Sequence, residues 1–157
     1  MDYISISEQN TIDLGFRLAK LLNVGDIVVL SGNLGAGKTK FTSGVLKYFG
    51  LDSETSSPTF TIVNEHNINQ TKLFHFDVYR LEDSEEFLAI GGDEYFSQGI
   101  CIIEWGEKIK DVLPKSYLNI NFEPIENDFE KRKIQINVIG NEQKYLEIME
   151  ALKNWKY

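Results

Sequence analysis

Residues 32–39 read Gly-Asn-Leu-Gly-Ala-Gly-Lys-Thr, which fills every fixed position of the G-x-x-x-x-G-K-[ST] pattern. The apolar run Ile27-Val28-Val29-Leu30 precedes it and reads as a buried strand, and residues 38–49 read as a helix. A strand, a glycine-rich loop and a helix in that order commit the chain to an α/β layer architecture. Gly32, Gly35 and Gly37 let the backbone turn without Cβ atoms in the way, so the N–H groups of Asn33, Leu34 and Ala36 and their neighbours can point inward. The helix start adds its own N–H groups and a positive dipole end. Lys38 supplies a point charge for β and γ phosphates, and Thr39 a hydroxyl for Mg²⁺. The loop is therefore expected to bind a nucleoside triphosphate.

At 157 residues the chain is long enough for one domain with a real core and too short for two, so residues 1–157 are expected to form a single P-loop ATPase domain. No apolar stretch approaches a membrane span, and the start Met-Asp-Tyr-Ile-Ser lacks the features of a signal peptide. One cysteine leaves no internal disulfide and no cysteine-based zinc site. These features predict the cytoplasm and no membrane partner. A net charge of −8 argues against solitary binding of nucleic acid. Lys131-Arg132-Lys133 is the basic cluster, and it reads as a solvated strand start.

Residues 3–6 suit a short edge strand. Ser5-Ile-Ser-Glu8 resembles a capping box, and Ile12, Phe16, Ala19 and Leu22 follow at helical spacing. Residues 59–65 alternate as a strand, 66–71 read as a hairpin loop, and 73–79 as a second strand. Asp83 caps a short helix that Gly91-Gly92 ends. Residues 93–98 and 106–112 suggest further helical turns around the apolar run 100–103. Residues 117–122 and 133–139 show period-two patterns across a Pro/Asn/Asp loop and read as a hairpin; residues 142–155 read as a helix. The fold class predicted is α/β, a single-domain P-loop NTPase with a mixed, partly antiparallel sheet flanked by helices.

Hydrolysis or transfer needs a carboxylate near the metal, usually at the end of a buried strand beside the loop strand. Asp77, after Leu73-Phe74-His75-Phe76, and Glu104, after Cys101-Ile102-Ile103, both fit. The carboxyl ends of strands face the ligand crevice of an open α/β sheet, so either group can reach it. His75 lies two residues before Asp77 and shares its face of the strand, where it reads as a buried histidine bonded to a neighbour. Cys101 reads as core.

Four segments together carry a resemblance: Leu34-Gly-Ala-Gly-Lys-Thr39, Ser57-Pro58-Thr59-Phe60, His75-Phe-Asp77-Val-Tyr79-Arg80 and Glu104-Trp105-Gly-Glu107. In order and spacing the set resembles the TsaE (YjeE) family, P-loop ATPases of tRNA threonylcarbamoyladenosine biosynthesis. The likeness covers nearly the whole chain and weakens after about residue 120. It implies Thr39 and Glu104 at the Mg²⁺ site, and Asp77 near the metal and γ-phosphate, either holding a metal-bound water or orienting an attacking one. It implies Ser57-Pro58-Thr59 as a switch-like loop, with Thr59 sensing the γ-phosphate, and Trp105 as the aromatic beside the metal carboxylate. It also brings Glu8 and Thr11 near the nucleotide base. Many members carry a second threonine after the loop threonine; here Lys40 takes that place.

The resemblance implies ATP or ADP and Mg²⁺ as cofactors. It also implies TsaB and TsaD as partner proteins, with tRNA reached through the complex. Lys38, Asp77 and Glu104 are the expected catalytic set. The sequence shows no arginine finger in cis, a group worth about 10³–10⁵ in rate, so slow hydrolysis of ATP is expected without partners. Two other readings are a nucleotide-gated regulatory subunit with negligible turnover and a small-molecule kinase. The kinase reading asks for several phosphate-clamping arginines, and the chain has Arg17, Arg80 and Arg132 alone.

Overall fold

The strand before the glycine-rich loop, β2 (Ile27–Gly32), buries Ile27, Val28, Val29 and Leu30. A strand buried on both faces belongs in the middle of a covered sheet. Val28 and Leu30 join one apolar core and Ile27 and Val29 a second on the opposite face, as the period of two requires. This computed structural model describes residues 1–51, 58 and 60–154.

The remaining strands are β1 (Asp2–Ser5), β3 (Val63–Ile68), β4 (Thr71–Asp77), β5 (Ile100–Glu104), β6 (Tyr117–Ile125) and β7 (Asp128–Ile139). They form one seven-stranded sheet in the order β1-β7-β6-β2-β5-β4-β3. The four central strands β6, β2, β5 and β4 are parallel, while β1, β7 and β3 pair antiparallel at the two sides. The chain leaves β2 toward β4 and β5 on one side and later returns to β6 on the other. The carboxyl end of β2 is thus a switch point, where an open α/β sheet forms its crevice.

Helices α1 (Glu8–Ala19), α2 (Lys38–Tyr48) and α4 (Gln143–Lys153) contribute to the first core. The short helix α3 (Ser84–Ala89) and the segments Gly92–Ser97 and Gly106–Val112 cover the second face. Both of these segments are 3₁₀ rather than α. Helices α1 and α2 touch through glycine. A Cβ on Gly44 would stand 1.9 Å from the Ile12 carbonyl oxygen, and one on Gly15 2.1 Å from that of Phe41.

Four local expectations shift. Helix α1 is capped by Ser7, whose Oγ accepts from the Asn10 N–H at 3.2 Å; Ser5 is still strand, paired with Arg132 of β7. The buried face of α1 is Thr11, Leu14, Gly15, Leu18 and Ala19, leaving Ile12 and Phe16 half-buried. Residues 60–62 form a turn in which Ile62 has φ 68°, so β3 starts at Val63 and runs through the stretch read as a loop, leaving Asn69 and Gln70 to turn the chain. The β6–β7 hairpin extends well past 122 and 133, because a register shift at Pro124/Ile125 keeps the proline at the strand end within the ladder. Trp155 lies outside the described residues.

Candidate nucleotide site

The loop between β2 and α2 takes the backbone its glycines allow. Gly32 has φ 128° and lies against β6, where a Cβ would meet the Phe122 carbonyl oxygen at 2.4 Å. Gly37 has φ 113° and caps α2. Among the described residues no side chain caps that end of α2, which suits its N–H groups to another acceptor. A cleft of about 330 Å³ opens there, lined by residues 34–40 with Glu8, Thr11, Asp77, Glu104, Trp105, Glu130 and Arg132.

Strands β4 and β5 deliver the two carboxylates together, since Asp77 and Glu104 are register partners in the parallel ladder. Glu104 is buried. Its Oε1 accepts from the Thr39 hydroxyl at 3.2 Å and its Oε2 lies 2.7 Å from His75 Nε2. Asp77 is also buried, and its Oδ1 accepts from the Tyr79 N–H at 3.0 Å. Oxygen donors from a hydroxyl and a carboxylate suit a hard cation, and Mg²⁺ is usually held by one or two carboxylates together with substrate phosphates. Among the described residues no group of three or more His, Cys, Asp or Glu side chains is arranged to hold a metal without such help.

Lys38 is buried and donates to the carbonyls of Gly32 and, at 3.0 Å, Asn33. Its ammonium lies 4.0 Å from the Trp105 ring centroid. Burial lowers the Lys38 pKa, opposed by the charges of Glu104, Glu107 and Asp77. Glu107 moves upward for the same reason, burial, opposed by its own backbone hydrogen bond and by Lys38 and Lys108. Trp105 reaches this position because it turns the chain after β5 with φ 63°, its N–H bonded to the Leu30 carbonyl at 2.9 Å. Its ring packs on Tyr79 at 4.8 Å and on the second core, and it also lines the cleft.

Thr11 is buried, within 2.7 Å of the Ser5 hydroxyl, and Glu8 forms an ion pair with Lys40 at 3.0 Å across the cleft mouth. The structure therefore brings together Glu8, Thr11, the loop from Leu34, Asp77, Glu104 and Trp105; Gly32 and Asn33 hold Lys38 through their carbonyls. Ser57 and Thr59 lie outside the described residues. The sequence reading missed Glu130 and Arg132, which reach the cleft from β7. The basic triplet was the signal, but nothing local placed its middle residue at the site. Arg132 Nη1 donates to the carbonyls of Phe129 at 2.6 Å and Lys131 at 2.7 Å, and Arg80 stacks on the Phe60 ring at 4.2 Å.

The protein is a single-domain α/β fold whose mixed seven-stranded sheet carries the glycine-rich loop at its switch point, with paired strand-end carboxylates beside it. The family model described as threonylcarbamoyl adenosine biosynthesis protein TsaE matches residues 5–134. The tRNA threonylcarbamoyladenosine biosynthesis protein TsaE of Bacillus subtilis is 38% identical over 143 residues, covering 90% of this chain and 88% of the relative. That of Treponema pallidum is 41% identical over 122 residues, covering 77% and 90%. The crystal structure of Bacillus subtilis YdiB superposes with a TM-score of 0.79 at 31% identity, covering 98% of this chain and 93% of that one. The chain belongs to the TsaE family. Among the described residues no helix is long and apolar enough to cross a membrane.

Proposed function

We propose that the chain binds ATP with Mg²⁺ and hydrolyses it slowly in the cytoplasm, in support of threonylcarbamoyl modification of adenosine 37 in tRNA, as part of a complex with TsaB and TsaD. The observation that carries this reading is the Thr39–Glu104 contact of 3.2 Å at the start of α2, with Asp77 in register beside it. The loop N–H groups and the dipole of α2 bind the phosphates, and Lys38 turns from the loop carbonyls to the β and γ oxygens. Thr39 and Glu104 would hold Mg²⁺, which would supply charge neutralisation at the phosphoryl group. Asp77 orients a water, and Glu8 and Thr11 border the base.

The slow rate follows from the arginines. Arg132 lines the cleft with its Nη1 bonded to backbone carbonyls, and Arg80 is stacked on Phe60. Arg132 Nη1 is engaged by backbone and Arg80 by a ring, which supports partner docking as the source of the missing rate. Turnover of ATP by the chain alone, and with TsaB and TsaD added, tests this. Weak turnover that rises in the complex supports the reading. Vigorous partner-free hydrolysis overturns the dependence on partners. Negligible turnover in both settings favours a nucleotide-gated regulatory subunit, and phosphoryl transfer to a small molecule favours a kinase.

A further inference from the structure

Glu104 is tied at both oxygens, and the second tie is a residue the proposed chemistry does not use. His75 stands on β4 in register with Ile102 of β5, two residues before Glu104, so the two side chains are diagonal neighbours on one face. Both are almost wholly buried, 1% and 2% exposed, and His75 Nε2 lies 2.7 Å from Glu104 Oε2. Since the carboxylate accepts, Nε2 carries the proton in this hydrogen bond. The other ring nitrogen, Nδ1, is buried and has no hydrogen-bond partner among the described residues. A buried polar nitrogen left so costs stability, a cost set against the donor that Nε2 supplies to the buried Glu104 carboxylate. A glutamate side chain has a broad terminal torsion. Fixing Oε2 on the imidazole turns Oε1 toward Thr39 and the cleft.

We propose that His75 is the positioning residue for the metal carboxylate: it holds Glu104 in the rotamer that presents Oε1 beside the Thr39 hydroxyl, and so sets the affinity of the nucleotide site for Mg²⁺. The proposal rests on the reading of Glu104 as a metal group. Partners of this kind, standing behind a metal-binding side chain, typically change metal affinity or activity by about 10–100-fold when removed.

The test uses the full chain and a fluorescent ATP analogue, titrated with EDTA and with increasing Mg²⁺, together with the Mg²⁺ dependence of ATP turnover and thermal melting. His75→Leu removes the donor, His75→Gln keeps an N–H donor near the Nε2 position, and His75→Asn keeps an amide too short to reach Glu104. Nucleotide affinity in EDTA is expected to stay at the wild-type value in all three. The Mg²⁺ concentration for half-maximal effect is expected to rise roughly 10–100-fold in His75→Leu and His75→Asn, and to return most of the way in His75→Gln. Wild-type Mg²⁺ dependence in His75→Leu overturns the proposal. If the leucine variant does not fold, equal Mg²⁺ dependence of the Asn and Gln variants overturns it instead. Glu104→Ala separates the two levels. Wild-type Mg²⁺ dependence there refutes the metal role of Glu104, whereas a Glu104 defect without a His75 defect refutes the positioning role alone.

Discussion

The Lys38 ammonium rests 4.0 Å from the centroid of the Trp105 ring, and the same group donates to the carbonyls of Gly32 and Asn33. The lysine that the motif assigns to phosphate is thus held inside its own loop, over an aromatic face that attracts a cation. Phosphates must compete with these carbonyls for the ammonium. The competition is favourable because a hydrogen bond between two charged groups is stronger than one to a neutral carbonyl.

Replacing Lys38 is therefore expected to remove phosphate contacts. Lys38→Ala is expected to lower nucleotide affinity by about 10–100-fold, the equivalent of roughly 1.5–3 kcal/mol for charged hydrogen bonds. Turnover with TsaB and TsaD should fall to background. Wild-type affinity in a binding titration refutes the role.

Thr39 distinguishes a hydroxyl requirement from a shape requirement. Its Oγ1 is 3.2 Å from Glu104 Oε1. Thr39→Ser keeps the oxygen and is expected to keep Mg²⁺-dependent nucleotide binding. Thr39→Val keeps the shape and leaves Glu104 facing a methyl group, and is expected to lose the Mg²⁺ enhancement while binding in EDTA persists. Equal Mg²⁺ responses from the two variants refute the hydroxyl's part in the metal site.

The α1–α2 crossing yields a stability prediction. A methyl group on Gly44 meets the Ile12 carbonyl oxygen at 1.9 Å, a backbone atom that cannot swing aside. Gly44→Ala is expected to force the helices apart at about 1–3 kcal/mol, the range for overpacking. A chain of this size then loses roughly 2–4 °C in melting temperature per kcal/mol. Lys47→Ala, on the exposed part of the same helix, is the control expected to leave melting unchanged. An unchanged melt for Gly44→Ala means the helices are not packed this tightly.

The parts of the site that are legible in the sequence are the local ones. Gly32 to Thr39 is a contiguous motif whose backbone needs are written in its glycines, and Asp77 and Glu104 each close an apolar strand. That His75 shares a strand face with Asp77 follows from their spacing of two; that its hydrogen-bond partner is Glu104 depends on which strand pairs with β4. The place of Glu130 and Arg132 at the cleft is not legible locally for a related reason. Pro124, Asn127 and Asp128 have loop composition, but only Glu126 and Asn127 form the turn; the pairing of β6 with β7 and of Ser5 with Arg132 carries the strands up to it beside the cleft. The Ser7 cap was misplaced by two residues because both serines suit the role locally, and the β1 pairing takes Ser5 for the sheet.

Cys101 gives the last prediction. It is fully buried in β5, and burial pushes its thiol up to about 12. The thiolate is the reactive form, so the native chain is expected to resist thiol reagents at pH 8 and to react fully once unfolded. The sign of the linked stability follows. The native state holds the proton up to about pH 12, whereas an unfolded cysteine releases it near 8.5. Between those values the unfolded state binds fewer protons, so stability falls as pH rises, and below the unfolded value the contribution is constant. Burial of Tyr145 raises its phenol as well and adds a loss of the same sign at alkaline pH. Chemical denaturation at a series of pH values from 8 upward should show a steeper decline for the wild type than for Cys101→Ala. Rapid stoichiometric labelling of the native protein at pH 8, or identical alkaline slopes, contradicts the buried, protonated thiol.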